Sequence, residues 1–122
     1  MRADVKFNIR DKERGLELAI GPGKVALLEA IAETGSIASA AKKLRMSYRR
    51  AWMLVDETNR CLIAPAVHTA TGGKRGGGAA LSPVGEELVR QYRGVERQAE
   101  AAVARKLLPL LRAVASNDRS RE

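Results

Sequence analysis

The chain has 122 residues, 45% of them apolar and 3% aromatic, with a formal net charge of +8. That length suits one core, and a core poor in aromatic rings must be closed by Ala, Leu, Val and Ile, which favours packed helices. A single cysteine, Cys61, and a single histidine, His68, exclude an internal disulfide and a cysteine-based metal cluster, and no apolar run is long enough to span a bilayer.

The excess charge is unevenly spread, since residues 36–80 hold eight Lys and Arg against Asp56 and Glu57. Positive charge so concentrated gathers polyanions and gains from counterion release on DNA. Double-stranded DNA is therefore the first expected partner and an acidic membrane surface the second. The amino terminus shows no apolar signal segment, and the expected compartment is the reducing cytoplasm.

Val5, Phe7 and Ile9 alternate with Lys6, Asn8 and Arg10, the period of a half-buried strand. After a polar stretch from Asp11 to Gly15, Leu16, Leu18 and Ile20 continue the alternation, which predicts an amino-terminal hairpin. Gly21, Pro22 and Gly23 break it. Val25, Leu27, Leu28 and Ile31 then recur at helical spacing until Gly35 supplies a stop. Ser36 is placed to cap a second helix of about two turns, with Ile37, Ala40, Ala41 and Leu44 facing inward. Arg45 and Met46 make a tight connection. Ser47 caps a third helix that runs to about Cys61, with Ala51, Leu54 and Val55 on its buried side and Trp52 beside them. Tyr48, Arg49, Arg50 and Met53 are left outward.

Pro65 and the glycines at 72–73 and 76–78 bracket a second hairpin with strands at 66–70 and 79–81 and Lys74 and Arg75 at its tip. Ser82, Pro83 and Glu86 read as cap, first-turn proline and early acidic residue. They open a long helix to about Leu108, striped by Val84, Leu88, Tyr92, Val95, Ala99 and Ala102. Pro109 kinks that helix or begins a separate turn, and residues 116–122 are expected to be disordered. A helix of roughly 26 residues is about 39 Å long, more than a domain this small can cover. Leu88, Tyr92, Val95, Ala99 and Ala102 are therefore expected to meet a second copy in a homodimer.

Two helices that cross closely need a small residue where their backbones meet, and Ala41 stands there. Ala40, Leu44, Met46, Ala51 and Leu54 fall at the core positions of a helix-turn-helix. The turn commonly holds glycine where this chain has Arg45, which must then adopt a left-handed conformation. In this arrangement the start of the third helix faces the major groove. The expected DNA-contacting residues are Ser36, Ser47, Tyr48, Arg49, Arg50 and Met53, with Arg49 and Arg50 foremost, because a guanidinium fork binds guanine O6 and N7 or phosphate. A solvated helix face would be the plain alternative for such a pair; its position at the start of this helix favours contact. Thr71, Gly72, Gly73, Lys74 and Arg75 form the expected wing, where glycine amides and two cations approach the phosphates. A nucleotide-binding loop fits less well, since no Ser or Thr follows Lys74 to open a helix. Trp52 is expected to buttress the junction of helix and wing.

The segments ETGSIASAAKKLRMSYRRAW (33–52) and ATGGKRGGGAALSPVGEELV (70–89) resemble the amino-terminal DNA-binding domain of ModE-type molybdate-responsive regulators, whose helix-turn-helix is related to that of the LysR family. The likeness runs from Lys24 to about Val103. It implies a mainly helical winged helix-turn-helix with a long dimerisation helix, a homodimer, and an operator near molybdate-transport or molybdoenzyme genes. In that family the molybdate-binding domains follow, and the expectation for this sequence, which stops at Glu122, is that it lacks them. The expected organisation is a DNA-binding domain with its hairpin at 1–81, a dimerisation helix at 82–115 and a tail at 116–122. No cofactor or metal is expected. The competing reading is an adaptor that recruits a separate sensor protein through the long helix and binds DNA nonspecifically. An enzyme ranks last, because the lone histidine has no nucleophile or paired carboxylate assignable to it.

Overall fold

The computed structural model describes residues 2–13, 15–70 and 77–112. The element order is β1 (Ile9–Asp11), β2 (Gly15–Ile20), α1 (Pro22–Thr34), α2 (Ile37–Lys43), α3 (Tyr48–Cys61), β3 (Val67–Ala70), β4 (Gly78–Leu81) and α4 (Pro83–Lys106), followed by a 3-10 turn at Leu108–Leu110. The architecture is a winged helix with two separate two-stranded antiparallel sheets. The tail at 116–122 lies outside the described residues.

Local chemistry sets the helix boundaries. Ser36, Ser47 and Ser82 each hold an extended conformation and accept a hydrogen bond through Oγ from the backbone N–H three residues on, at Ser39, Arg50 and Gly85. Each bond satisfies a donor that the first turn would otherwise leave unpaired. α1 ends at Gly35, whose φ of 82° lets its N–H reach the Ile31 carbonyl at 2.8 Å. Pro83 sits at the start of α4 and Pro109 inside the final 3-10 turn, positions where its missing N–H costs nothing.

The core lies between α1, α2, α3 and the start of α4. Leu27, Leu28, Ile31, Ala40, Ala41, Ala51, Val55 and Ala66 are almost fully excluded from solvent. Alanines dominate where α2 meets α3, which brings the two backbones close, as the small-residue argument requires. Leu44, Met46, Leu54, Leu81, Leu88 and Val89 close the periphery. Arg45 has a φ of 60°, the left-handed conformation expected of the turn, while Met46 N–H reaches back to the Ala41 carbonyl at 3.0 Å.

Two expectations change. The first strand begins at Ile9 rather than Val5, since Ile9 already pairs with Ile20, the last residue of β2. Upstream residues form no strand, although Val5 and Phe7 are half-buried, because no strand remains for them to bond. The second change concerns the stripe on α4. Tyr92 is only 3% exposed and belongs to a second small core with Ile20 and Val25. Its ring stacks on Phe7 at 4.2 Å between centroids, and its hydroxyl donates to the Phe7 carbonyl. Leu88 packs at the edge of both cores. Tyr92 is thus covered by the protein's own amino-terminal segment, and Leu88 also by its helical core.

Polar bonds join the layers. Asn59 Oδ1 accepts from the N–H groups of Ala66 and Val67 at 2.8 and 3.1 Å, fixing β3 to the end of α3. Arg93 on α4 makes a two-pronged contact with Glu29 on α1, through Nε at 3.0 Å and Nη2 at 2.7 Å, and a third bond to Glu96. Hydrogen bonding from Arg93 holds the Glu29 carboxyl below the usual range, and the same bonds raise the Arg93 guanidinium. Lys24 bridges Glu57 on α3 and the Ala19 carbonyl.

Candidate nucleic-acid interface

The seven-residue α2 and fourteen-residue α3 are held together by Ala40, Ala41, Ala51 and Val55, which are at most 2% exposed. Docking by that face turns the opposite side of α3 outward. Its first turn therefore projects Tyr48, Arg49 and Arg50 into solvent, with Met53 one turn on. Ser47 caps this helix, so its Oγ accepts from Arg50 N–H at 3.0 Å; its lone pairs are partly committed to the protein. Ser36 is similarly engaged with Ser39 N–H.

The ion pairs separate two populations of cations. Lys43 pairs with Glu33 and Arg60 with Asp56 at 3.3 Å, and Arg93 pairs with Glu29 and Glu96. Lys42, Arg45, Arg49 and Arg50 form no ion pair with a described residue. Within α2, α3 and the turn between them, the cations without such a pair thus lie at the end of α2, on the turn and at the start of α3; others lie elsewhere, among them Lys6, Arg10, Arg97 and Arg105. Ser47, Arg49, Arg50 and Met53 line a shallow hollow of about 400 Å³.

The wing is anchored at its base. β3 and β4 pair from Val67↔Leu81 to Ala70↔Gly78, and Ala79 N–H donates to the Gly35 carbonyl at 2.8 Å. That bond makes the α1–α2 turn a third rung beside the hairpin and sets the wing next to the start of α2. The expected tip, Thr71, Gly72, Gly73, Lys74 and Arg75, lies outside the described residues. His68 is exposed on β3, and burial raises the Cys61 thiol above its usual range. Among the described residues, no group of three or more His, Cys, Asp or Glu side chains could hold a metal, and no helix is long and apolar enough to cross a membrane.

Trp52 departs from expectation. Its place at the helix–wing junction agrees with the sequence, but it is 38% exposed and stands edge-on to Tyr48, ring centroids 6.3 Å apart. Its spacing of four from Tyr48 could have revealed this, because residues i and i+4 share a helix face, and Tyr48 is outward. Of the residues expected on α4, Val95 is exposed and Ala99 and Ala102 half-buried, whereas Leu88 and Tyr92 serve the protomer's own cores.

No protein-family model matches the chain. Among individual proteins, it is similar to the molybdenum-pterin-binding protein MopB of Rhodobacter capsulatus, 49% identical over 77 residues, which are 63% of this chain and 28% of that protein. It is 38% identical over 92 residues to the transcriptional regulator ModE of Yersinia pestis, covering 75% of this chain and 34% of that one. The DNA-binding transcriptional dual regulator ModE of Escherichia coli is 36% identical over a stretch of the same length. The chain spans about a third of the length of these relatives.

Proposed function

Because the chain is related to the ModE-type regulators through a winged helix-turn-helix region, we propose that it is a sequence-specific DNA-binding protein that regulates transcription of genes concerned with molybdenum. The observation that carries this reading is the uncommitted cationic face at the start of α3, held outward by an alanine-tight joint with α2. Arg49 and Arg50 are the residues assigned to base edges and phosphate, Tyr48 and Met53 to the groove surface around them, and Ser36 and Ser47 to the margins. The wing residues 71–75 grip flanking phosphates in this reading. No reaction is assigned, and a separate sensor protein forms no part of the proposal.

α4 supports a dimer in which Val95, Ala99 and Ala102 meet a second copy. Its 24 residues span about 36 Å, and its later turns extend past the Tyr92 cluster. A two-fold dimer would set two α3 helices into successive major grooves, about 34 Å apart along the duplex.

The test is fluorescence anisotropy against the protein's own upstream DNA and a scrambled duplex over a range of salt. With about four phosphates neutralised per subunit, log K against log salt should slope near −7 for the dimer, and the upstream duplex should bind more tightly. Equal, weak and salt-insensitive binding to both duplexes would overturn the reading.

A further inference from the structure

A groove of about 470 Å³ runs between the start of α2, the outer face of α3 and the base of the wing. Ser36, Tyr48, Trp52, Thr69 and the backbone at Gly77 and Gly78 are among its lining residues. We propose that this groove seats one sugar–phosphate strand of the duplex, with Trp52 as a backbone-contacting residue that fixes the register of the recognition helix. The proposal rests on the DNA-binding reading and adds a residue and a type of contact to it.

Four observations converge. First, the groove's position is topological: one wall is the face of α3 that enters a major groove, the other is the wing, and a duplex bridging both must lay the intervening strand between them. Second, among the described residues its lining contains hydroxyls at Ser36, Tyr48 and Thr69 and no carboxylate, a composition that accepts a phosphodiester without repelling it. Third, glycines at 77 and 78 leave that part of the wing wall without side chains, so a backbone can approach main-chain amides. Fourth, the Trp52 indole N–H has no acceptor among the described residues, although the ring lines the groove.

An indole suits this site physically. It is a donor without an acceptor function, so it matches an anionic phosphate oxygen, and its flat apolar body packs on the adjoining deoxyribose. The Tyr48 ring packs edge-on against the indole at 83° between planes. The walls are fixed by the Ala79–Gly35 hydrogen bond and by the capped starts of α2 and α3. A contact of this kind positions the protein on DNA but reads no base, so its loss should weaken all sequences alike.

Trp52 is the only tryptophan in the chain, so its emission reports this groove alone. Labelled upstream duplex is titrated by anisotropy while acrylamide, an uncharged quencher, probes Trp52 in the same samples. Saturation with DNA should lower the quenching constant by at least about twofold. In parallel, Trp52→Phe, which keeps a ring and removes the N–H, should bind upstream and scrambled duplexes about tenfold more weakly by the same factor, as expected for one lost charge-assisted hydrogen bond. Unchanged far-ultraviolet circular dichroism would verify its fold. DNA binding with Trp52 still fully open to acrylamide would overturn this proposal while leaving the DNA-binding reading intact. A loss confined to the upstream sequence would replace backbone contact by base reading and also overturn it. Absence of any anisotropy change would remove both.

Discussion

Gly85→Ala adds one methyl group where α4 comes nearest to the chain leading into β3. In an ordinary helix that change stabilises by about 1 kcal/mol, because alanine loses less backbone entropy on folding. Here the new Cβ would lie 2.3 Å from the Ala66 carbonyl oxygen and 3.1 Å from its carbon, far inside contact distance. Both obstacles are main chain, so relief requires the start of α4 to withdraw from Ala66. Two bonds cross that junction, Ser82 N–H to the Ala66 carbonyl at 2.8 Å and Ser82 Oγ to the Pro65 carbonyl at 2.6 Å, whereas the Gly85 N–H to Ser82 Oγ cap at 3.1 Å moves with the helix. At about 1 kcal/mol each, their loss costs about 2 kcal/mol and outweighs the gain from alanine. The expected net destabilisation of about 1 kcal/mol corresponds to roughly 4 °C in Tm for a domain of this size. Urea unfolding followed by circular dichroism measures it. A midpoint equal to or above that of the parent protein would refute the reasoning, because it would mean that helix propensity rather than this junction decides the effect.

Replacing both Arg49 and Arg50 by Ala should weaken binding to the upstream duplex at least about tenfold and reduce the magnitude of the salt slope by about one for each phosphate contact removed; unchanged anisotropy curves would disprove their role. Arg45→Gly should raise stability by about 0.5–1 kcal/mol, since a side chain at φ 60° carries a steric cost that glycine avoids, and a urea midpoint that does not rise would count against that strain. For Glu29, Arg93 lowers the folded-state pKa beneath its ordinary value of 4.5. The depressed value means that the pair's contribution is complete above that ordinary value and is lost as pH falls through the lowered one. Glu29→Gln should therefore flatten part of the acid limb of a stability–pH profile, and parallel profiles for parent and variant would argue against the linkage.

The helical framework was readable from the sequence because its signals are local. The serines at 36, 47 and 82 act within three residues of themselves, and Gly35 and Arg45 declare positive φ through the turns they occupy. The core positions of α2 and α3 followed from spacing alone. What escaped depended on distant residues. Tyr92 lay on the correct stripe, but its cover, Phe7, is 85 residues away, and no periodicity indicates which surface meets an apolar stripe. The Arg93–Glu29 clamp spans 64 residues and joins two faces that are unremarkable when each is read by itself. The first strand was overextended because alternation reports the side chains' environment, not whether a strand lies alongside. Trp52 was placed on the correct junction but counted among packing groups, since a large aromatic ring suggests burial unless its neighbour one turn away is also weighed.

The stacking of Phe7 on Tyr92 bears on how a shortened protein would behave. A fragment beginning at Pro22 would keep the whole helix-turn-helix and every assigned DNA contact, yet it would bare the Tyr92 ring and leave its hydroxyl without the Phe7 carbonyl. Such a truncation would expose a new sticky patch beside the later turns of α4, so self-association measured on it would mix an artefact with the contact proposed for Val95, Ala99 and Ala102. The leading residues, which touch no assigned DNA contact, act as a latch over the root of the long helix, and studies of assembly need them in place.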